Sequence, residues 1–451
     1  MNNDRNPWWA LAIIILAGAN YAGVIASAQR QLFAMSLWLF TYIFMGMAPY
    51  VQYRLAMTPG TTPHVDESLF PVAGLLVLGS CVAVMIGRLL AGRSRLPVKA
   101  LRQSYVNRRR ANLLTLAGIL IFAYYASQVG VQSFLLSRDE LAAVRRAVWP
   151  NITVAQILTG ALQMGLLVGF LAQMAVRQQR RAAGLQPALL PALINGLLLL
   201  YAVNPISTTR YVFGTAILAV LAAFGVYATL IRFRIMAAAA IAGMLTLFPL
   251  ADRFRTSDAR DFQTEGPVKA LTSGDFDAFA QLTNTLSYVA DHGIAWGDQL
   301  VGVLFLWVPR SIWPGKPIDT GVELAEYMGY KFTNLSAPIW AELFINFGLL
   351  GALLGMGALG YLFRRWDTRT DLYLRISRMP PVVVSAVAFY LIIFLRGSML
   401  AVSAYLLVIL VSAWFVTYRR RTTGRILWRV PHQIPRHSVG PAGPRPRVPS
   451  A

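Results

Sequence analysis

The chain has 451 residues, of which 56% are hydrophobic and only 13% are charged. A soluble domain usually carries about 25% charged residues, so this composition excludes an ordinary soluble protein. The formal net charge of +22 would suggest nucleic acid in a soluble chain. In a membrane protein the same excess comes from Lys and Arg retained in cytoplasmic loops. We therefore expect a membrane protein that binds no nucleic acid.

Apolar runs along the chain are long enough, or nearly so, to cross a hydrocarbon core that needs roughly 20 apolar residues. They predict an all-α, polytopic bundle of about 11 transmembrane helices. Residues 1–417 form one transmembrane domain, and the basic, Pro-rich residues 418–451 form a cytoplasmic tail that we expect to be disordered and to contact anionic lipid. The runs cover residues 8–27, 32–53, 69–91, 112–130, 152–176, 185–203, 211–230, 235–250, 337–363, 380–396 and 398–417.

The charges of the loops predict the orientation of the bundle. Residues 88–110 carry eight Lys and Arg side chains, and such a cluster stays in the cytoplasm. Alternating the spans from that point places every other strongly basic loop, and the tail, on the same side. The N-terminus then lies outside and the C-terminus inside. The short run at 235–250 is the weakest step, because the following loop changes sides if this run does not cross.

The longest external loop, residues 251–335, holds 11 of the 19 Asp and Glu of the chain. Long structured loops supported by a scaffold commonly carry function. Residues 275–291 and 320–330 are predicted to form short helices. The run 300–308 is too short to span, so it either lies along the membrane interface or caps the bundle.

Arg210 begins the seventh span, directly after the polar segment 204–209. A helix N-terminus and a guanidinium both favour phosphate, so an anion site competes here with a snorkelling interface arginine. Arg253 and Arg255 follow the eighth span and are candidates for the same positive pocket. Taken singly, each of these two is better explained as a solvated charge.

The segment Pro309–Pro317 contains three prolines, which fix the backbone and remove hydrogen-bond donors. Arg310 and Lys316 are therefore expected to be held in a defined geometry. Trp313 offers a flat apolar surface suited to a sugar ring or to the membrane interface. A plain turn at the end of an amphipathic segment is the alternative.

Glu342 and Asn346 are four residues apart and share one helix face. Glu342 is either the partner of an internal arginine or a general base or hydrogen-bond acceptor for substrate. Asp277, with Asp275, has the spacing of an acidic pair that holds metal-bound sugar nucleotides, although the same pattern also caps helices well. His292 is a candidate proton acceptor. Four histidines and one cysteine form no recognisable metal site, so no metal or cofactor is expected.

The block 274–360 resembles the oligosaccharide repeat unit polymerases, the O-antigen polymerase group of bacterial inner membranes. The resemblance lies in Gly274–Asp277, in Pro309–Pro317, in Glu342 followed by residues 346–348, in Arg210 at an outer helix start, and in the layout with one large outer loop. It implies a fold similar to that of the GT-C-like polymerases and ligases that use lipid donors.

The same resemblance implies a metal-free glycosyltransferase at the outer face of the bacterial inner (plasma) membrane. Its donor and acceptor would be polyprenyl-diphosphate-linked oligosaccharides, joined into a surface polysaccharide or exopolysaccharide, with a chain-length-regulating membrane protein as a further partner. Glu342, and secondarily His292, would remove the acceptor proton. The substrate-binding candidates are Arg210, Arg253, Arg255, Arg310, Lys316, Trp313, Asn346 and Asp277.

Other functions compete with this one. An O-antigen ligase-like transferase uses the same donor chemistry with another acceptor. A transporter or flippase tends to show internal repeats and charges at mid-membrane, and neither pattern is visible in this sequence. A purely structural membrane protein is the remaining alternative.

Overall fold

The computed structural model describes residues 5–93, 104–247 and 267–419. They are mostly helical, which confirms the all-α class. Two short strands, β1 (Ser104–Val106) and β2 (Thr417–Arg419), pair antiparallel. Turns of π-helix join α2 to α3 (Thr41–Met47) and extend α10 (Gly243–Leu247). The helices are α1 (Trp8–Ala26), α2 (Leu32–Phe40), α3 (Ala48–Leu55), α4 (Phe70–Arg93), α5 (Arg108–Val129), α6 (Arg138–Val148), α7 (Ile152–Ala182), α8 (Leu190–Ala202), α9 (Arg210–Ala223), α10 (Leu230–Ala242), α11 (Pro267–Ala270), α12 (Ala278–His292), α13 (Asp298–Leu304), α14 (Thr320–Tyr327), α15 (Ile339–Leu374), α16 (Val382–Arg396) and α17 (Met399–Val416).

Seven helices within the described ranges are long and apolar enough to cross a membrane: α1, α2 continued by α3, α4, α5, α7, α15 and α17. Three shorter apolar helices, α8, α9 and α16, lie where further spans are predicted. Helix α10 and its π-helical extension occupy the predicted eighth run as far as residue 247. The chain thus has the helices of a membrane protein, while the count of eleven spans stays a prediction.

Contacts between helix termini separate the bundle into two ends. At one end, which we call the loop end, Gln52 Nε2 donates to the Leu271 carbonyl at 2.8 Å and Asn204 Nδ2 donates to the Phe134 carbonyl at 2.9 Å. At the other, the basic end, Arg234 Nη2 donates to the Ala26 carbonyl at 3.1 Å, and β1 pairs with β2. The ends of α3 and α8, predicted to be external, thus share the loop end, whereas the end of α1 and the start of α10, predicted to be cytoplasmic, share the basic end.

Helix α10 runs antiparallel to α1. This direction matters because α10 occupies the predicted eighth span, on which the side of the long loop depends. Arg234 contacts the C-terminal residue of α1, whereas the Tyr21 hydroxyl, further back along α1, donates to the Ala237 carbonyl at 2.6 Å. Helix α10 therefore starts at the basic end and points toward the loop end. Residues 267–276 are accordingly found at the loop end, where Gln52 binds them.

Glycines allow α4 and α15 to pack closely. A Cβ atom at Gly87 would overlap the Gly357 carbonyl, and one at Gly360 would overlap the Val84 backbone. Small residues let helices approach closely where no hydrophobic effect drives association. This contact fixes α15, which carries side chains important at both ends of the bundle.

Carboxylates of α15 cap α2 at the basic end. The backbone amides of Phe33 and Ala34 donate to the Asp367 carboxylate at 2.9 and 3.1 Å, and Arg30 Nε donates to Asp371 Oδ1 at 2.7 Å. The first amides of a helix lack intrahelical partners, so these carboxylates satisfy donors that would otherwise be unpaired. Both carboxylates are buried and serve the fold.

Candidate functional site

Two ion pairs join the 267–338 segment to helix termini at the loop end. Arg210, the first residue of α9, pairs with Asp275. Arg396, the last residue of α16, donates from Nη2 to Asp277 Oδ1 at 2.9 Å. The Asp277 side chain is 1% exposed and the Arg210 side chain 8% exposed. These charges therefore lie inside the protein.

The backbone around the two aspartates is fixed by its own packing. Gly274 leaves no room for a side chain, since a Cβ atom there would lie 2.6 Å from Thr61 Cγ2. Phe276 is buried and stacks on Phe44 with ring centroids 4.9 Å apart. Gln52 Nε2 donates to the Phe276 carbonyl at 3.0 Å. The turn Gly274–Phe276 consequently directs the two carboxylates toward the arginines.

Arg396 binds the backbone of the turn in addition to the Asp277 carboxylate. Its Nε donates to the Asp275 carbonyl at 3.0 Å, and its guanidinium lies over the Tyr211 ring at 4.9 Å from the centroid. The Tyr211 hydroxyl donates to the same Asp275 carbonyl at 3.2 Å. Sequence reasoning did not select Arg396 as a site residue. The available signal was a cation at the outer end of an apolar run, directly before Gly397.

Glu342 lies one turn into α15 and is 1% exposed. Its Oε1 accepts a hydrogen bond from the Met399 backbone amide at 2.8 Å, so it caps the N-terminus of α17. Asn346 Nδ2 donates to the Glu342 carbonyl at 2.8 Å, which confirms that the two residues share a face. Within the part of the chain that the structure describes, no ion pair joins Glu342 to an arginine.

Asp319 is a second carboxylate beside Glu342, and sequence reasoning missed it. It caps α14, since the Gly321 amide donates to Asp319 Oδ1 at 2.9 Å. Burial raises the pKa of the Asp319 carboxyl. The Ser398 hydroxyl lies next to both carboxylates, at a geometry short of a hydrogen bond. The signal in the sequence was an Asp directly before a short helical run.

The two cations of the Pro309–Pro317 segment are held in a defined geometry, as expected, but by backbone carbonyls. Lys316 Nζ donates to the Leu306 and Val308 carbonyls at 2.8 and 3.1 Å. Arg310 donates to the carbonyls of Lys316 and Pro317 at 2.6 and 2.9 Å. Burial, followed by the nearby Arg310 guanidinium, lowers the pKa of the Lys316 ammonium.

His292 and Trp313 lie nearer the protein surface. The His292 ring is exposed at the end of α12, stacks on Tyr288 at 4.4 Å and meets the edge of Tyr327 at 5.4 Å. Trp313 is partly exposed. Neither residue has a side-chain hydrogen bond to Glu342 or Arg210 among the contacts of the described residues. Their predicted roles in proton transfer and sugar binding stay predictions.

Arg253 and Arg255 lie outside the described residues, as do most of the predicted tail residues 418–451. In residues 5–93, 104–247 and 267–419, no group of three or more His, Cys, Asp and Glu side chains is placed to hold a metal ion.

The loop end thus combines buried cations with buried carboxylates at the termini of apolar helices. Guanidinium groups bind phosphate through paired, charge-assisted hydrogen bonds, and a carboxylate can accept a proton from a hydroxyl. Comparison with known proteins adds no closer guide: no family, no curated protein and no solved structure matches this chain.

Proposed function

We propose that this protein is a membrane glycosyltransferase that joins polyprenyl-diphosphate-linked oligosaccharides into a polysaccharide. The observation that supports this proposal is the convergence of two arginines on one loop residue. Arg210 contacts the Asp275 carboxylate, and Arg396 donates to the Asp275 carbonyl. Both arginines lie at the ends of apolar helices, where the diphosphate of a lipid donor would lie while its chain remains in the hydrocarbon.

The chemistry of such a transfer suits these residues. The acceptor hydroxyl oxygen bonds to the anomeric carbon and loses its proton, while the bond from that carbon to the diphosphate oxygen breaks. The departing diphosphate gains negative charge, and cations that strengthen their contacts as it leaves lower the barrier. The diphosphate would compete with the Asp275 carboxylate for Arg210. Glu342 is our first candidate for the group that takes the acceptor proton.

The distribution of basic residues supports an outer-face reaction in the bacterial plasma membrane. Arg108, Arg109 and Arg110 begin α5 at the basic end, beside the end of α17. Clusters of this kind are retained in the cytoplasm. The loop end, with the arginine and carboxylate groups, then faces the outside, where repeat units are joined.

Deletion of the gene in its native host, followed by analysis of the carrier-linked glycolipids, tests the proposal. A polymerase deletion leaves single repeat units on the carrier lipid. Deletion of a ligase-like transferase would instead leave long chains on the carrier. That result would replace the polymerase assignment with a ligase-like one. An unchanged glycolipid pool would overturn the glycosyltransferase proposal altogether.

Complementation of the deletion separates the site from the whole protein. Arg210→Ala should fail to restore polymer at normal expression, whereas Arg146→Ala, an exposed arginine of the other loop-end connection, should restore it. Full restoration by Arg210→Ala would remove Arg210 from the site and leave the overall function open to the deletion result.

A further inference from the structure

The segment between α12 and α14 exposes an unusual number of large apolar side chains. Trp296 is 79% exposed, Ile312 76%, Leu304 65% and Trp307 61%. Contiguous apolar surface of this kind marks a site of interaction with a protein or a membrane. We call residues 296–312 the apolar rim.

The apolar rim packs against the bundle and does not project beyond it. The Ala295 amide donates to the Ile345 carbonyl at 2.8 Å, and a Cβ atom at Gly297 would lie 3.4 Å from the Phe347 ring. Ile345 and Phe347 belong to a short helical segment, residues 339–347, because Gly348 has non-helical backbone angles and the chain folds back there, with Phe347 against Gly351 and Leu343 against Gly355. The rim therefore begins beside the first turn of the long apolar segment 349–374, near Gly351.

The exposed surface of α15 continues directly from this contact. Leu349 is 56% exposed, Leu350 69% and Leu354 66%. On a helix long and apolar enough to span a membrane, such side chains face lipid. The apolar rim is thus continuous with surface that lies in the hydrocarbon, which identifies the bilayer as its partner rather than a second protein.

The backbone of the rim is suited to a medium without water. Irregular backbone is tolerated at membrane depth only where its polar groups are satisfied by the protein. Lys316 satisfies the Leu306 and Val308 carbonyls, which follow α13 directly. Arg310 satisfies the carbonyls of Lys316 and Pro317. Prolines at 309, 314 and 317 have no amide N–H to satisfy.

The turn before α13 places the indole ring of Trp296 on the outside of the protein. Trp296 has a φ of 50°, which a bulky residue rarely adopts, between Gly293 and Gly297 with φ of 80° and 92°. Tryptophan is enriched at the interface between headgroups and hydrocarbon, where its apolar ring and its N–H are both accommodated. The conformation of this turn therefore places an interface-seeking side chain on the outside of the protein.

From these contacts we propose that the apolar rim is immersed in the lipid leaflet at the loop end, as a platform that enters this leaflet without crossing the bilayer. Its side chains lie among headgroups and acyl chains, and Lys316 and Arg310 supply the hydrogen bonds that its backbone requires. This placement is independent of the transferase reaction, because it rests on exposure, depth and backbone satisfaction alone.

Spin labels placed on single cysteines test the immersion. Cys81 is the only cysteine and is buried, so Cys81→Ala gives the background. Trp307→Cys and Ile312→Cys report on the rim, Leu350→Cys on lipid-facing helix, and Lys331→Cys on an exposed polar position of the same loop region. The labelled protein is reconstituted in phosphatidylcholine vesicles, and collisions with oxygen and with a water-soluble nickel chelate are compared.

We expect the ratio of oxygen to nickel accessibility at positions 307 and 312 to be several-fold above that at 331 and close to that at 350. A ratio equal to that at 331 would place the rim in water and overturn the proposal. Low accessibility to both reagents would also overturn it, because a second copy of the chain would then cover the rim. If Trp307→Cys fails to fold, Leu304→Cys makes the same measurement.

Discussion

Arg396 and Asp277 lie 119 positions apart in the chain, and their side chains meet at 2.9 Å with Asp277 buried to 1% exposure. This pair joins the start of α12 to the end of α16. The neighbouring pair of Arg210 and Asp275 joins the same turn to α9. The loop is consequently part of the bundle at its loop end, and the charges of the candidate site depend on these long-range contacts.

Breaking the Arg396–Asp277 pair should destabilise the protein strongly. Arg396→Ala leaves an uncompensated buried carboxylate, which costs about 3–5 kcal/mol, whereas the double change Arg396→Met with Asp277→Leu should cost much less. Denaturant unfolding of purified protein in detergent measures both. The exposed Arg146→Ala serves as the control and should lie within about 0.5 kcal/mol of wild type. Equal losses in the single and double variants would contradict the pairing.

Arg210 should contribute to transfer more than to folding. If it stabilises the departing diphosphate, Arg210→Ala should lower turnover by about 10²–10³-fold, the loss typical of one oxyanion-stabilising donor. Arg210→Lys keeps the charge but loses the paired geometry, so it should recover only part of the activity. Polymer formation from purified lipid-linked repeat units measures both. Lysine that restores full activity would indicate a general electrostatic role instead of paired hydrogen bonds.

Glu342→Gln separates the capping role of this residue from a catalytic one. The amide oxygen of Gln can still accept the Met399 amide, so the folded protein should retain nearly its full stability. Loss of the base should reduce turnover by about 10²–10⁴-fold. Glu342→Ala should reduce turnover and also cost about 0.5–2 kcal/mol through the lost cap. A Gln variant with wild-type turnover would assign Glu342 to the fold alone.

Asp319 should make stability depend on pH in a defined direction. Because burial raises the pKa of Asp319 in the folded protein, the unfolded chain, with a pKa of about 3.9, loses this proton first. The folded state then holds more protons, so this contribution to stability falls as pH rises between the two pKa values. Asp319→Asn keeps the cap and removes the charge.

Unfolding midpoints of wild type and Asp319→Asn, measured from about pH 4 upward, check this linkage. The variant should gain stability relative to wild type as the pH rises. The exposed Asp298→Asn serves as the matched control for removal of a surface carboxylate. A constant difference between wild type and Asp319→Asn over this range would show that Asp319 titrates as in the unfolded chain.

Gly348 interrupts α15 with a φ of 64°, a conformation that costs an L-residue energy. Gly348→Ala should destabilise by more than about 1 kcal/mol, since the strain exceeds the entropic gain. Gly165 of α7 has open space and helical backbone, so Gly165→Ala should stabilise by roughly 0.5–1 kcal/mol. Thermal unfolding in detergent compares the two, and opposite signs are expected.

Much of the bundle follows from the sequence alone, because hydrocarbon thickness fixes how long an apolar run must be. The starts of α9 and α15 and the short helices α12 and α14 were all predicted to within a few residues. Asn346 and Glu342 share a face because helical spacing requires it. Basic loops likewise indicated which helix termini lie at the same end of the bundle.

Tertiary structure decided which side chains meet. In the sequence Arg396 is a residue of a predicted turn, whereas the packing of α16 places it over Tyr211 and beside Asp277. Glu342 caps α17, a helix 57 positions further along the chain whose place beside α15 local spacing does not encode. The sequence by itself determined where the apolar helices lie along the chain, since this depends on local hydrophobicity. The charge pairs at the loop end depend on long-range packing, and only the folded bundle brings them together.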